Sequence, residues 1–208
     1  MSDTRLSDMD ELVAKIDAIP SGPNPILVAI AGAPGSGKST IANILNTKTT
    51  RHSCVIPMDG FHLDNEALRT RGLLHRKGAP QTFDLQGFQQ LIVGLRSKTA
   101  RHYPTFDRNA DETVPNAGIV PKAAKLLIIE GNYLLLDKPG WRELQKLWDA
   151  SIWLDVPTNM LRHRLVQRWI DHGLSDLDAR LRAEQNDLVN ANLVTGNRLT
   201  STWILFQE

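Results

Sequence analysis

Apolar positions in this chain fall into short unbroken runs, separated by longer stretches in which they recur every three or four residues. The unbroken runs at 26–31, 53–58, 125–130, 151–154 and 202–206 predict five short strands. Helical spacing appears in Ile41, Ile44 and Leu45, and again in Leu85, Phe88, Leu91, Ile92 and Leu95 after Asp84. It recurs in Trp141, Leu144 and Trp148 after Pro139-Gly140, and in Leu161, Leu165 and Trp169 after Thr158. A last helix is expected to open at Ser175, with Asp178 three residues on as a capping-box variant. Strands alternating with helices predict an α/β fold built on a parallel sheet.

Two departures from plain alternation carry information. Pro57 lies inside the second run, and a residue without an N–H is tolerated in a sheet only at an edge or near a strand end, so that strand is placed at the edge. Residues 60–121 hold one clear helix and otherwise turn-formers, more chain than a strand–helix unit needs, and are expected to form an insertion that binds an acceptor substrate.

A chain of 208 residues, 41% hydrophobic, suffices for one sizeable core and is expected to form a single domain over 1–208, with 1–24 as an N-terminal extension carrying a helix. The formal net charge of +1 excludes the basic footprint of a dedicated nucleic-acid binder. A single cysteine, Cys54, excludes an intrachain disulfide, and the opening MSDTRLSDMDE lacks the apolar core of a secretory signal. The apolar runs fall far short of the roughly 20 residues that span a bilayer. A cytoplasmic protein without membrane or nucleic-acid partners is expected.

Chemistry enters at AIAGAPGSGKST, residues 29–40, directly after the first strand. Gly32, Gly37, Lys38 and Ser39 fit G-x-x-x-x-G-K-[ST], a loop whose backbone amides cradle nucleotide phosphates. Gly32, Ala33, Pro34, Gly35, Ser36, Gly37, Lys38, Ser39 and Thr40 are therefore the candidate nucleotide-binding segment. Gly35 and Gly37 let the backbone approach phosphate oxygens, Lys38 is expected to reach the β and γ phosphates, and the Ser39 hydroxyl is expected to hold Mg²⁺. No N-K-x-D guanine motif accompanies the loop, which favours ATP.

A kinase also needs a carboxylate near the γ-phosphate to orient or deprotonate the acceptor hydroxyl. Asp59, in IPMDGFH, ends the second strand, and parallel sheets bind ligands at the carboxyl ends of their strands. It is open to two readings, a catalytic base or a turn aspartate before Gly60. Glu130, at the end of KLLIIEGNY, is likewise either a Mg²⁺-binding acid or a cap. Arg164 and Arg168, four apart, share one helical stripe within 158–185 that flanks the apolar stripe, and a solvated basic face is one reading of it.

The glycine loop followed by MDGFH, RKGAPQTFD, YPTFDR, LLIIEGNYLLL and a late arginine-bearing helix resembles the P-loop kinase group of uridine kinase, bacterial pantothenate kinase and phosphoribulokinase. Within that group it is most similar to the bacterial fructose transport-system kinases, which are fructokinase-like. The resemblance covers nearly the whole chain from Pro25 onward. It implies a P-loop NTPase three-layer α/β/α fold with a five-stranded parallel sheet in the order 2-3-1-4-5. It also implies Asp59 as base, Glu130 as the acid of the second phosphate-site motif, and a lid of arginines including Arg164 and Arg168. Lys77, Gly78, Pro80, Phe83 and Asp84 match the KG-x-P-x-x-[YF]D stretch of pantothenate kinases. Downstream, the tyrosine-serine-histidine stretch of those enzymes is replaced by Tyr103-Pro104-Thr105-Phe106-Asp107-Arg108. Candidate acceptor contacts are thus Asp59, Arg76, Lys77, Tyr103, Asp107 and Arg108, with a surface salt bridge as the other reading of Asp107 and Arg108.

The expected activity is transfer of the γ-phosphoryl group of ATP, with Mg²⁺, to a hydroxyl of a small metabolite, a sugar being favoured by the resemblance. Pantothenate or a nucleoside is the alternative acceptor, and a regulatory nucleotide-binding module the alternative class. A homodimer is left open.

Overall fold

A computed structural model describes residues 3–207. The order of elements is β1 (Thr4–Leu6), α1 (Met9–Asp17), β2 (Ile26–Gly32), α2 (Lys38–Lys48), β3 (Ser53–Pro57), α3 (Asn65–Thr70), α4 (Leu85–Arg96), β4 (His102–Asp107) and β5 (Glu112–Ile119). There follow β6 (Leu126–Gly131), β7 (Ala150–Asp155), α5 (Thr158–Asp171), α6 (Asp176–Arg182), α7 (Leu188–Gly196) and β8 (Trp203–Phe206).

The main sheet is parallel and runs β1-β8-β7-β2-β6-β3. It has six strands, so the expected five-stranded count and order are incomplete: β1 adds outside β8, and the 203–206 strand is not an edge. Three residues with only Leu6 buried leave too little apolar signal to mark β1 as a strand. β3 does stand at the opposite edge, where Pro57 removes no bond from an inner ladder.

β2 is buried along its whole length and shows why the sheet is sandwiched. Side chains alternate between faces, so Leu27, Ala29 and Ala31 join one core and Ile26, Val28 and Ile30 the other. The first core packs against Phe88 and Ile92 of α4, Leu161 and Leu165 of α5, and Leu188 of α7. The second packs against Leu12 and Ile16 of α1 and Ile41 and Leu45 of α2. Each fully buried Ile or Leu of this kind contributes about 1.5–3 kcal/mol of transfer free energy.

Three local expectations need correcting. The 141–148 segment forms a 3₁₀ helix over Arg142–Leu147 rather than an α-helix; Trp141, Leu144 and Leu147 recur every third residue, which is the 3₁₀ period. Residues 60–121 contain, besides α4, the short α3 and an antiparallel hairpin of β4 and β5. The helix capped by Ser175, whose Oγ accepts from Asp178 N at 3.2 Å, passes through a π turn at Ala183–Asp187 into α7. Among the described residues no helix is long and apolar enough to cross a membrane.

Candidate active site

β2 ends at Gly32 and the chain turns into α2 through Gly35 and Gly37, with φ of 79° and 86°, a left-handed conformation that glycine adopts without strain. A Cβ on Gly35 would also press on Leu165 Cγ at 3.1 Å, so the loop lies directly against α5. Lys38, the first residue of α2, is buried and donates to Ala33 O at 2.9 Å and to Ser36 Oγ at 3.4 Å. Burial pulls its pKa down to about 8, against the opposing charges of Glu130 and Asp59. Two consecutive residues thus serve one point: Lys38 brings a cation inside the loop, and Ser39 turns its hydroxyl to the neighbouring strand.

That strand is β6, where Glu130 accepts from Ser39 Oγ at 2.9 Å. Burial, reinforced by the charge of Asp59, pushes the Glu130 carboxyl upward. A hydroxyl and a carboxylate side by side are hard oxygen donors of the kind Mg²⁺ takes when phosphates and water fill its other positions, so the residues present fit that ion.

Asp59 lies in the 3₁₀ turn Met58–Phe61 that follows β3, and its Oδ2 accepts from Arg108 Nη2 at 3.2 Å. The turn is pressed by the β4–β5 hairpin: a Cβ on Gly60 would collide with the Pro104 carbonyl. Asp59 O takes His62 Nδ1 at 2.7 Å, and the His62 ring lies 4.1 Å from Phe83 and 4.7 Å from Phe106. Burial lowers the His62 pKa and so favours the neutral imidazole, whose contacts fix the turn.

These groups open onto one cavity of about 910 Å³. Pro34, Gly35, Gly37, Lys38, Ser39, Thr40, Asp59, Lys77, Arg108, Glu130 and Arg168 line it, which brings together eleven of the residues expected from the sequence. Gly32, Ala33 and Ser36 sit behind them, the last two as partners of Lys38. Arg164 is half-buried on α5 and is not among the lining side chains.

Three expected acceptor contacts stand elsewhere. Tyr103 is a core residue whose hydroxyl donates to Val55 O at 3.2 Å. Asp107 shapes the hairpin turn, its Oδ1 accepting from Asn109 N at 2.9 Å and Ala110 N at 3.1 Å. Arg76 bonds Gln185 O at 3.0 Å and Asn190 Oδ1 at 3.1 Å, fastening its loop to the helices behind. Lys77 faces the cavity, yet its ammonium is spent on Asn65 Oδ1 at 2.7 Å and Asp111 Oδ1 at 2.9 Å. It joins α3 to the hairpin turn.

Sequence reasoning gave no place in the site to other lining residues, among them His62, Arg69, Arg182, Asp187 and Trp169, the last of which it read only as part of an apolar helix stripe. His62 lies in the MDGFH motif, whereas Asp187 and Arg182 carried no local signal, the latter offering only a basic residue at the end of a short helix.

A strand, glycine loop and helix, with an acid on the adjoining strand and an aspartate one strand further out, define a P-loop kinase. The chain belongs to the Phosphoribulokinase / Uridine kinase family, which it matches over residues 27–179. It is 34% identical to "Putative uridine kinase C227.14" of Schizosaccharomyces pombe, over 97% of this chain and 92% of that protein. It is 30% identical to a "Pantothenate kinase" of Leifsonia xyli subsp. xyli, over 70% of this chain and 48% of that protein, and so spans about half the length of that relative. Among solved structures it is similar to a "putative fructose transport system kinase" from Silicibacter sp. TM1040, with 47% identity, 96% and 99% of the two chains covered, and a TM-score of 0.92.

Proposed function

We propose that this protein transfers the γ-phosphoryl group of ATP to a hydroxyl of a small polar metabolite in the cytoplasm, a sugar being the favoured acceptor. The observation that carries this reading is the convergence of Lys38, the Ser39–Glu130 pair and Asp59 on one cavity. The sugar is favoured by the name of the Silicibacter relative; the names of the others speak for a nucleoside or pantothenate.

In this scheme the amides around Gly35 and Gly37, at the N-terminus of α2, hold the phosphate oxygens, and Lys38 adds a cation at the β and γ positions. Bound at Ser39 and Glu130, Mg²⁺ would neutralise charge on the same phosphates. Asp59 orients the acceptor hydroxyl and takes its proton as the new O–P bond forms and the β–γ bridging bond breaks, with ADP leaving. Arg168, at the cavity wall, faces the charge on the group in transfer.

The test is an acceptor panel of ketoses, nucleosides and pantothenate, read by ADP release and by the mass of the product, on the wild-type and Asp59→Asn proteins. The expected result is a phosphorylated sugar, with turnover in Asp59→Asn lower by about 10²–10⁴ at unchanged ATP affinity. A phosphorylated nucleoside or pantothenate with no sugar product would replace the acceptor. ATP turnover stimulated by no acceptor would favour a regulatory module.

A further inference from the structure

Asp187 is a buried carboxylate at the cavity that the scheme above does not use. It closes the single π turn Ala183–Asp187 between α6 and α7. A π turn fits one extra residue into a helix and shifts the facing of the side chains around it; here Asn186 and Asp187, adjacent in sequence, are both buried.

Both oxygens of Asp187 are taken by α5. Oδ1 lies 3.3 Å from Arg168 Nη2, and Oδ2 accepts from Trp169 Nε1 at 2.5 Å. The indole so held carries two guanidinium groups, Arg168 and Arg182, each 5.2 Å from its ring. All four side chains line the cavity that the glycine loop opens into. The neighbouring Asn186 donates to Lys77 O at 2.9 Å and Arg76 donates to Gln185 O at 3.0 Å, so the turn is tied to the loop at 76–77.

An arginine at a cavity wall has many rotamers, and a cation helps a transferring phosphoryl group only when it need not reorganise at the moment of reaction. A carboxylate that anchors the indole, with two cations stacked on it, removes that freedom. We propose that Asp187 is a positioning residue, which holds Arg168 directly and, through Trp169, both Arg168 and Arg182 as a paired cationic wall facing the phosphoryl group in transfer. This rests on the kinase reading of the same cavity.

Calorimetry with AMP-PNP·Mg²⁺, a mimic of bound ATP, and with ADP·aluminium fluoride·Mg²⁺, a mimic of the transferring group, tests it on the wild type, Asp187→Ala and Asp187→Glu. In Asp187→Ala the transition-state mimic is expected to bind at least about 10-fold more weakly while AMP-PNP changes less than about 3-fold. Asp187→Glu is expected to recover most of the loss. In a Trp169→Phe background, where the indole anchor is gone and only the direct Asp187–Arg168 pair remains, the Asp187→Ala change should still weaken the transition-state mimic, but by less than in the wild type. If Asp187→Ala does not fold, Asp187→Asn serves: it keeps an acceptor for the indole, drops the charge on Arg168, and is expected to show part of the same selective loss.

Equal weakening of both ligands would make Asp187 a structural residue and overturn the proposal. So would tighter AMP-PNP binding, which would mean that its charge merely opposes phosphate. A wild-type protein that binds neither ligand would overturn the kinase reading, and this one with it.

Discussion

Arg108 Nη2 sits 3.2 Å from Asp59 Oδ2, joining the turn after β3 to the β4–β5 hairpin at the cavity wall. The Arg108 side chain is 57% exposed, so the pair is screened and contributes little to stability, on the order of 0–1 kcal/mol. Its consequence is positional: a guanidinium beside the proposed base offers further N–H donors to whatever hydroxyl docks there.

The first prediction follows. Arg108→Ala should leave the unfolding midpoint nearly unchanged and ATP affinity intact while raising KM for the acceptor about 10-fold, roughly one charge-assisted hydrogen bond. Urea unfolding, nucleotide calorimetry and steady-state kinetics separate the three. A fall in stability with unchanged KM would make the bridge purely structural.

Lys38 gives a prediction in which stability and function move apart. Its ammonium is buried, and burial pulls its pKa to about 8, so holding it charged in this loop costs the fold free energy. Lys38→Met keeps the stem and removes the charge. Stability should be equal or higher, while ATP·Mg²⁺ binding should weaken by about 1.5–3 kcal/mol, or roughly 10–100-fold. Thermal unfolding and calorimetry on the two proteins check it; unchanged affinity would exclude Lys38 from the phosphates.

Much of this site was legible because its parts are bound to short-range rules. The glycine loop needs left-handed backbone at Gly35 and Gly37, and the alternation in β2 needs apolar residues on both faces, so each leaves a local mark in the sequence. Contacts made across the fold leave none. Tyr103 read as a polar pocket residue because nothing nearby in sequence shows that Val55 O occupies its hydroxyl; Asp107 differs, since its partners Asn109 N and Ala110 N are local and it was the resemblance that drew it into the pocket. Asp187 stayed without a role for the same reason as Tyr103: its partners lie 18 and 19 residues back, and a π turn has no periodicity by which to recognise it.

β1 shows the same limit at the N-terminus, and yields an acid-stability prediction. Asp3 accepts from both Nη1 and Nη2 of Arg198 at 3.0 Å and from Ser201 N and Oγ at 2.7 Å, clasping β1 to the segment that leads into β8. The Arg198 hydrogen bond, opposed by burial and aided by Ser201, holds the Asp3 carboxyl at about 2, below the 3.8 of a free aspartate. A depressed carboxylate stabilises the fold above its unfolded pKa and loses that contribution as pH falls through its folded one. Asp3→Asn tolerates the positive φ of 45° as aspartate does, and replaces the oxygen that accepts from Arg198 Nη2 by an amide donor, so it removes the charge together with that hydrogen bond. It should cost about 1 kcal/mol at pH 7, a value set low because the pair is partly solvated, with the difference narrowing between about pH 4 and pH 2. Urea midpoints at pH 7, 4 and 3 measure it; a pH-independent difference would assign the loss to shape rather than charge.

Gly60 is the last test, because it asks whether the hairpin sets the position of Asp59. A Cβ at Gly60 would run into the carbonyl and Cα backbone of Pro104 and Thr105, and backbone cannot rotate away as a flexible side chain can. Gly60→Ala must therefore displace either the hairpin or the turn. If the hairpin moves, Arg108 leaves Asp59 and acceptor binding is expected to suffer; if the turn moves, Asp59 itself leaves its place at the cavity. Overpacking of this kind costs about 1–3 kcal/mol, so a folded but destabilised protein is expected, with ATP·Mg²⁺ affinity held by the untouched glycine loop. Turnover should fall by about 10²-fold, the cost of a displacement of about 1 Å at a reacting group. Wild-type turnover per folded molecule in Gly60→Ala would show that Asp59 holds its place without the hairpin.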